Sequence, residues 1–148
     1  MTPTANAPSD RRRWIGLAVL AAPCMLVTMD LTVLSLALPK LVADLDPSAT
    51  QQLWITDIYG FLIAGALILM GSIGDRVGRR KVLVIGGAAF GLASLLAALS
   101  QSPEQLIAAR AVQGLAGATL VPSTMSLVFA MFPDERERTV ALGVIMSC

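Results

Sequence analysis

Histidine is absent from this sequence, and its two cysteines, Cys24 and Cys148, stand far apart in apolar surroundings. A zinc site of the usual Cys/His kind therefore lacks its ligands, and two isolated thiols imply no disulfide framework. Charge is scarce as well. Asp, Glu, Lys and Arg make up 14% of the 148 residues and aromatic residues 5%, too little of either for an ordinary soluble domain. The net charge is only +1 and the basic residues sit in short clusters rather than along a face, which argues against nucleic-acid binding. No catalytic residues, metal ligands or cofactor are expected, so the chain does not read as an enzyme.

What the sequence has in excess is apolar length. Hydrophobic residues make up 55% of it and the mean hydropathy is +0.73, which makes an all-α membrane protein the expected class. Residues Met1 to Asp10 are small, polar and proline-containing, and with Arg11, Arg12 and Arg13 they read as a disordered tail over residues 1–13. The first span is placed at 14–38. It is longer than a signal-peptide core, and Pro39 is expected to end it. A loop from Lys40 to Thr50 follows, then a second span at 52–73 with Trp54 at interfacial height. The third span, 82–99, carries Gly87 and Gly91, with Ser94 and Ala98 continuing a four-residue spacing that suits close helix packing. The fourth, 105–131, is interrupted by Pro122. A fifth apolar run, 139–148, is too short to span a bilayer, so an amino-terminal fragment of a larger bundle is expected.

Lys and Arg fix the expected orientation. The tail carries three, the segment between spans two and three carries four (Arg76, Arg79, Arg80, Lys81), and the segment after span four carries Arg136 and Arg138. Only Lys40 lies on the other side, so the amino terminus is expected in the cytoplasm.

Three ionisable residues lie inside the apolar runs: Asp30, Asp57 and Arg110. A lone charge there costs several kcal/mol, roughly, and normally faces a cavity or a partner. At a rise of ~1.5 Å per residue, Asp30 falls about 13 Å, and Asp57 and Arg110 roughly 8 Å, below the outer helix ends. The three are expected to share one water-filled cavity. A carboxylate that moves toward or away from a guanidinium changes its proton affinity, the physical requirement for coupling transport to protons. A permanent buried pair serving assembly alone is the other reading. In the fourth span Arg110, Gln113, Gly114, Gly117 and Val121 share a face, on which the glycines and Ala118 suit close packing. Met25, Met29, Tyr59, Phe61 and Gln113 are candidates for a pocket that takes greasy cations, although such side chains more often simply pack.

The segment Gly71-Ser72-Ile73-Gly74-Asp75-Arg76-Val77-Gly78-Arg79-Arg80-Lys81 closely resembles the signature loop between helices two and three of the major facilitator superfamily. Met29-Asp30-Leu31-Thr32-Val33-Leu34-Ser35-Leu36-Ala37-Leu38-Pro39 resembles the first-helix motif of its fourteen-helix drug/proton antiporters, with Ser35 where asparagine is usual. Arg110-Ala111-Val112-Gln113-Gly114-Leu115-Ala116-Gly117-Ala118 is similar to the fourth-helix motif associated with proton coupling, and Gln51 to Tyr59 looks like the second-helix entry of quaternary-ammonium exporters. The resemblance implies proton-coupled efflux of lipophilic cations across the cytoplasmic membrane. Asp30, Arg110 and Asp57 are the implied coupling residues. Gly71, Asp75, Arg76, Gly78, Arg79 and Arg80 are the implied parts of a cytoplasmic latch onto a carboxy-terminal half that the chain lacks. The implied partners are protons, small lipophilic cations, membrane lipid and that missing half. Alternatives are a proton-linked exporter of one metabolite and a non-transporting four-helix membrane protein.

Overall fold

The computed structural model describes residues 10–147, and within them the chain is five α-helices. They are α1 (Asp10–Leu45), α2 (Ala49–Val77), α3 (Arg79–Ala98), α4 (Pro103–Met131) and α5 (Glu135–Met146). The first four are long and apolar enough to cross a membrane. Even α3, the shortest of these at 20 residues, is about 30 Å long, the thickness of a hydrocarbon core.

The fourth span ends at Met131 as expected; the other boundaries differ from the sequence expectation, several for identifiable causes. Residues 1–9 of the expected tail lie outside the described residues, while 10–13 already belong to α1. Pro39 does not end α1, which continues to Leu45. A proline removes its own N–H and crowds the carbonyl four residues earlier, but it leaves the residues after it free to stay helical. The helix stops instead at Asp46, whose φ of 43° is left-handed and whose N–H donates to Val42 O at 3.1 Å. Only Asp46, Pro47 and Ser48 then separate α1 from α2. Ser48 starts α2 through a capping box: its Oγ accepts from Gln51 N at 3.3 Å, and its own N–H donates to Gln51 Oε1 at 2.9 Å. The charged segment between the fourth and fifth runs, outside every expected span, is helical from Glu135. Asp134 Oδ1 caps it by accepting from Arg136 N and Glu137 N, and Glu135 and Glu137 sit in the first turn, where the helix dipole favours them.

The largest difference concerns the glycine- and arginine-rich segment. It is a single-residue break rather than a loop of about ten residues. α2 runs on to Val77, Gly78 alone has non-helical backbone (φ 108°, ψ 122°), and α3 begins at Arg79. A φ of this kind is open to glycine and strained for other residues, so the reversal between two membrane-length helices rests on that one position.

α4 forms the axis of the bundle. It packs along α2 and α3 over most of its length and touches α1 and α5. Half of its apolar stretch is buried, a far larger share than in α2 or α3. Two clusters flank it. Tyr59, Phe90, Ala116 and Leu120 join α2, α3 and α4, while Leu17, Leu20, Val128, Phe132, Ala141 and Ile145 join α1, α4 and α5. The outward faces carry exposed side chains such as Leu36, Ile68 and Val84, as suits helices surrounded by lipid.

Small residues set the helix separations. A Cβ at Gly114 would come within 2.8 Å of the Tyr59 carbonyl oxygen and 3.0 Å of Leu62 Cβ, so α2 and α4 touch backbone to backbone there. One at Gly117 would meet Ile63. On α3 the close approach is made by Gly86, against Thr119 and Ala116, and not by the expected stripe. Cβ atoms at Gly87 and Gly91 would meet nothing within 4 Å among the described residues. The buried face of α3 is Val82, Gly86, Phe90 and Ala93, one residue out of step with that stripe and rotated by about 100°.

Candidate functional site

Two turns into α4 a charged side chain lies deep in the bundle. Arg110 is 2% exposed, yet it forms an ion pair with Asp30 of α1, whose side chain is 14% exposed. The pair is part of a larger cluster. Gln113, one helical turn along α4, accepts from Arg110 Nη1 at 3.3 Å through Oε1 and donates from Nε2 to Asp30 Oδ1 at 2.8 Å. The same Nε2 donates to Ser94 Oγ of α3 at 2.9 Å, and Ser94 donates to its own helix at Phe90 O, also at 2.9 Å. From α2, the Tyr59 ring lies against the guanidinium with its centroid 4.6 Å from Cζ. Four helices therefore each contribute a side chain to one cluster.

Helical spacing explains the assembly. Arg110, Gln113, Gly114 and Gly117 lie on one face of α4, where the glycines admit α2 closely enough for Tyr59 to reach the guanidinium. The cluster borders an open cleft of about 330 Å³ between α1, α3 and α4, lined by Asp30, Leu34, Ala37, Ser94, Leu106 and Arg110 among others. The carboxylate thus has access to a cavity and not only to protein. One oxygen of the Asp30 carboxylate meets the guanidinium and the other the Gln113 amide. Nε and Nη2 of Arg110 and the Tyr59 hydroxyl are buried without hydrogen-bond partners among the described residues.

Of the three ionisable residues expected in one cavity, two meet. Asp57 is exposed and opens into a separate hollow of about 440 Å³, lined by Leu31, Thr56, Tyr59, Gly60, Phe61 and Ile63. It lies two residues from Tyr59 and so about 200° round α2 from the face that meets α4. Tyr59 is the wall between the two spaces, since it lines the Asp57 hollow while its ring covers Arg110. Of the candidate pocket residues, Tyr59 and Gln113 belong to the cluster. Met29 is 57% and Met25 46% exposed, and neither lines these spaces; Phe61 lines the Asp57 hollow. Ser94 was missed as a polar contact, although a serine in an apolar span one turn beyond Phe90 was the available signal.

At the Gly78 end, Asp75 forms an ion pair with Arg79 across one helical turn that includes the break at Gly78. Arg79 also donates from Nη1 to Pro122 O of α4 at 2.9 Å. Gly71 packs toward the same proline: a Cβ there would sit 3.8 Å from Pro122 Cβ, an ordinary contact. Arg76 and Arg80 are exposed, Arg80 beside Arg13 at a hollow of about 780 Å³. Within the described residues, then, Gly71 and Arg79 join α2 and α3 to α4.

Membrane-length helices wrapped around a buried ion pair that opens to a cleft define a multi-pass membrane protein whose charges face its interior. The chain belongs to the major facilitator superfamily, whose model matches residues 20–148. It is 50% identical over 145 residues to the multidrug efflux pump LfrA of Mycolicibacterium smegmatis, covering 98% of this chain and 28% of that protein. Over 133 residues it is 41% identical to the methyl viologen resistance protein SmvA of Salmonella typhimurium, covering 90% of this chain and 27% of that one. A puromycin resistance protein of Streptomyces alboniger is 41% identical over 135 residues, 91% and 27% of the two chains. The chain thus spans little more than a quarter of the length of these relatives.

Proposed function

We propose that these helices belong to the amino-terminal bundle of a proton-coupled exporter of lipophilic cations, with Asp30 exchanging the proton and Arg110 controlling its release. The observation that carries this reading is the Asp30–Arg110 pair at the edge of an open cleft, built from side chains of four helices. A buried pair serving only assembly needs no cavity beside it, whereas proton exchange does. The names of the relatives, a multidrug efflux pump and a methyl viologen resistance protein, support export of cationic drugs. Asp57, at the separate hollow with Phe61, is then placed to meet a cationic substrate rather than the coupled proton.

The arrangement of Lys and Arg supports an orientation in the cytoplasmic membrane with the amino terminus and the Gly78 end inside. Asp75, Arg79 and Gly78 would there form the amino-terminal side of a latch that holds one state of an alternating-access cycle. The resistance protein named for puromycin alone favours a second reading, export of a single compound.

The test is pH-gradient-driven efflux of a fluorescent lipophilic cation from inverted vesicles containing the full-length protein. Asp30→Asn keeps the shape and hydrogen-bonding capacity of the side chain and removes its titratable charge, so driven efflux is expected to fall while cation binding persists. A wild-type rate in that variant at equal abundance rules out Asp30 as the coupling group. Resistance of cells to several unrelated cations separates the multidrug reading from the single-compound one.

A further inference from the structure

At the Gly78 end of the bundle two guanidiniums border one hollow. Arg13 of α1 and Arg80 of α3 line a space of about 780 Å³ whose apolar walls include Val19 and Leu20 of α1 and Leu127 and Met131 of α4. No acidic side chain lines it among the described residues. Two like charges beside one space repel each other unless something negative lies between them. Their own partners do not supply it. The Arg13 side chain is only 18% exposed, yet its ion pair with Glu137 of α5 is 3.6 Å long, beyond hydrogen-bonding distance. Its Nε is buried without a hydrogen-bond partner among the described residues. Arg80 is exposed and forms no ion pair among the described residues.

The hollow begins at the level of a membrane surface. Trp14, next to Arg13, is 44% exposed and meets Phe132 edge-on, and aromatic side chains of this kind gather at headgroup height. At a rise of ~1.5 Å per residue, Val19 and Leu20 lie about 9–10 Å deeper along α1. The space is therefore positive at its mouth and apolar below. We propose that it binds an anionic phospholipid, whose phosphate lies between Arg13 and Arg80 and whose glycerol and upper chains run along Val19, Leu20 and Leu127. Guanidinium groups hold phosphate oxygens through paired N–H donors, and basic pockets between membrane helices suit such headgroups. Free phosphate would meet the charges but leave the apolar walls bare. Because α1 and α3 scarcely touch directly, a lipid held by one arginine from each ties the two helices together. The site lies away from the Asp30–Arg110 cluster and does not depend on the reading of that cluster.

The test is displacement of a fluorescent phosphatidylglycerol from the purified full-length protein in neutral detergent, read by polarisation. Unlabelled phosphatidylglycerol should compete roughly tenfold better than phosphatidylcholine, and inorganic phosphate should not compete. Arg13→Gln and Arg80→Gln should each weaken binding about tenfold, the size of one charge-assisted hydrogen bond. Arg136→Gln, an exposed arginine at the same end but outside the hollow, should leave it unchanged. Glu137→Gln removes the carboxylate that competes for Arg13, so it should tighten binding several-fold, which a damaged fold would not do. Arg80 is exposed, so its substitution stays informative even where Arg13→Gln fails to fold. Equal competition by phosphatidylcholine, or displacement by inorganic phosphate, overturns the assignment to an anionic lipid. Absence of saturable binding, wild-type affinity in Arg80→Gln, an equal loss in Arg136→Gln, or weaker binding in Glu137→Gln overturns the site itself.

Discussion

Tyr59 lays its ring against the guanidinium of Arg110, with 4.6 Å between Cζ and the ring centroid, and so closes the side of the charge that faces α2. The contact is possible because Gly114, one turn from Arg110, lets the Tyr59 backbone approach α4. With the ring on one side and Asp30 on the other, the charge is enclosed by a π face and a carboxylate in a setting almost free of solvent.

This enclosure predicts strongly coupled energetics. Removing Asp30 as alanine leaves Arg110 buried without its counter-charge, and a cost of about 3–5 kcal/mol is expected. Arg110→Met on its own exposes the carboxylate to an apolar wall and is also destabilising. The double variant Asp30→Ala with Arg110→Met should recover much of the loss, because neither charge then remains. Thermal unfolding of the purified full-length protein in detergent measures the cycle, and strict additivity of the two losses would show that the pair is not coupled.

The close approach at Gly114 makes a second prediction. Gly114→Ala puts a methyl group within 2.8 Å of a backbone oxygen that cannot swing away, so α2 and α4 must separate. A loss of about 1–3 kcal/mol is expected, as for overpacked cores, and Tyr59 is drawn off Arg110 at the same time. Gly87→Ala and Gly91→Ala meet no neighbour among the described residues and replace a poor helix former with a good one, so they should be neutral or stabilising. Equal losses at all three positions, read from melting temperatures, would contradict this packing.

The contrast between these glycines shows what the sequence could reveal. Hydropathy and length were enough for four membrane helices, because a bilayer demands some twenty apolar residues whatever the neighbours are. Depth was legible only in part: Asp30 and Arg110 do meet, but α1 runs on to Leu45, so Asp30 lies about 22 Å below the end of its helix and not the ~13 Å counted from Pro39. Rotation about the axis was not. Depth alone predicts Asp57 in the same cavity, and spacing alone predicts Gly87 and Gly91 on the packing face, yet Asp57 opens into a separate hollow and the two glycines meet no neighbour among the described residues. In a helix that is apolar all round, periodicity carries little information about which side meets protein and which meets lipid. Helix ends failed for a local reason. Pro39 and the charges around Gly78 look like breaks, but a proline disturbs mainly the turn before it, and arginines at a membrane surface are compatible with helix.

Orientation can be tested by access. In a background with the native cysteines replaced by alanine, single cysteines at the exposed positions Ala49 and Gln101 should react with an impermeant thiol reagent added outside cells. One at Val77, which is 53% exposed at the opposite end of α2, should react only after the membrane is opened. Labelling of Val77 in sealed cells would reverse the proposed orientation.

The last prediction concerns the break between α2 and α3. Arg79 uses two nitrogens for two tasks: Nη2 pairs with Asp75 on the α2 side of Gly78, and Nη1 donates to Pro122 O on α4. A guanidinium can do both because its donors are fixed in a planar fork, whereas an ammonium group has no such geometry. Arg79→Lys should therefore keep the charge and the topology while losing one of the two ties, and transport by the full-length protein should fall several-fold at unchanged abundance. Asp75→Asn removes the charge but no packing group, so it should also slow transport without lowering the amount of folded protein. Gly78→Ala differs from both. With φ at 108° a side chain is strained by about 1–3 kcal/mol, so it should reduce folded protein as well as rate. Measuring abundance and initial efflux rate together separates these cases. Full efflux in Arg79→Lys and Asp75→Asn at normal abundance would leave the charges of this segment as topology signals alone.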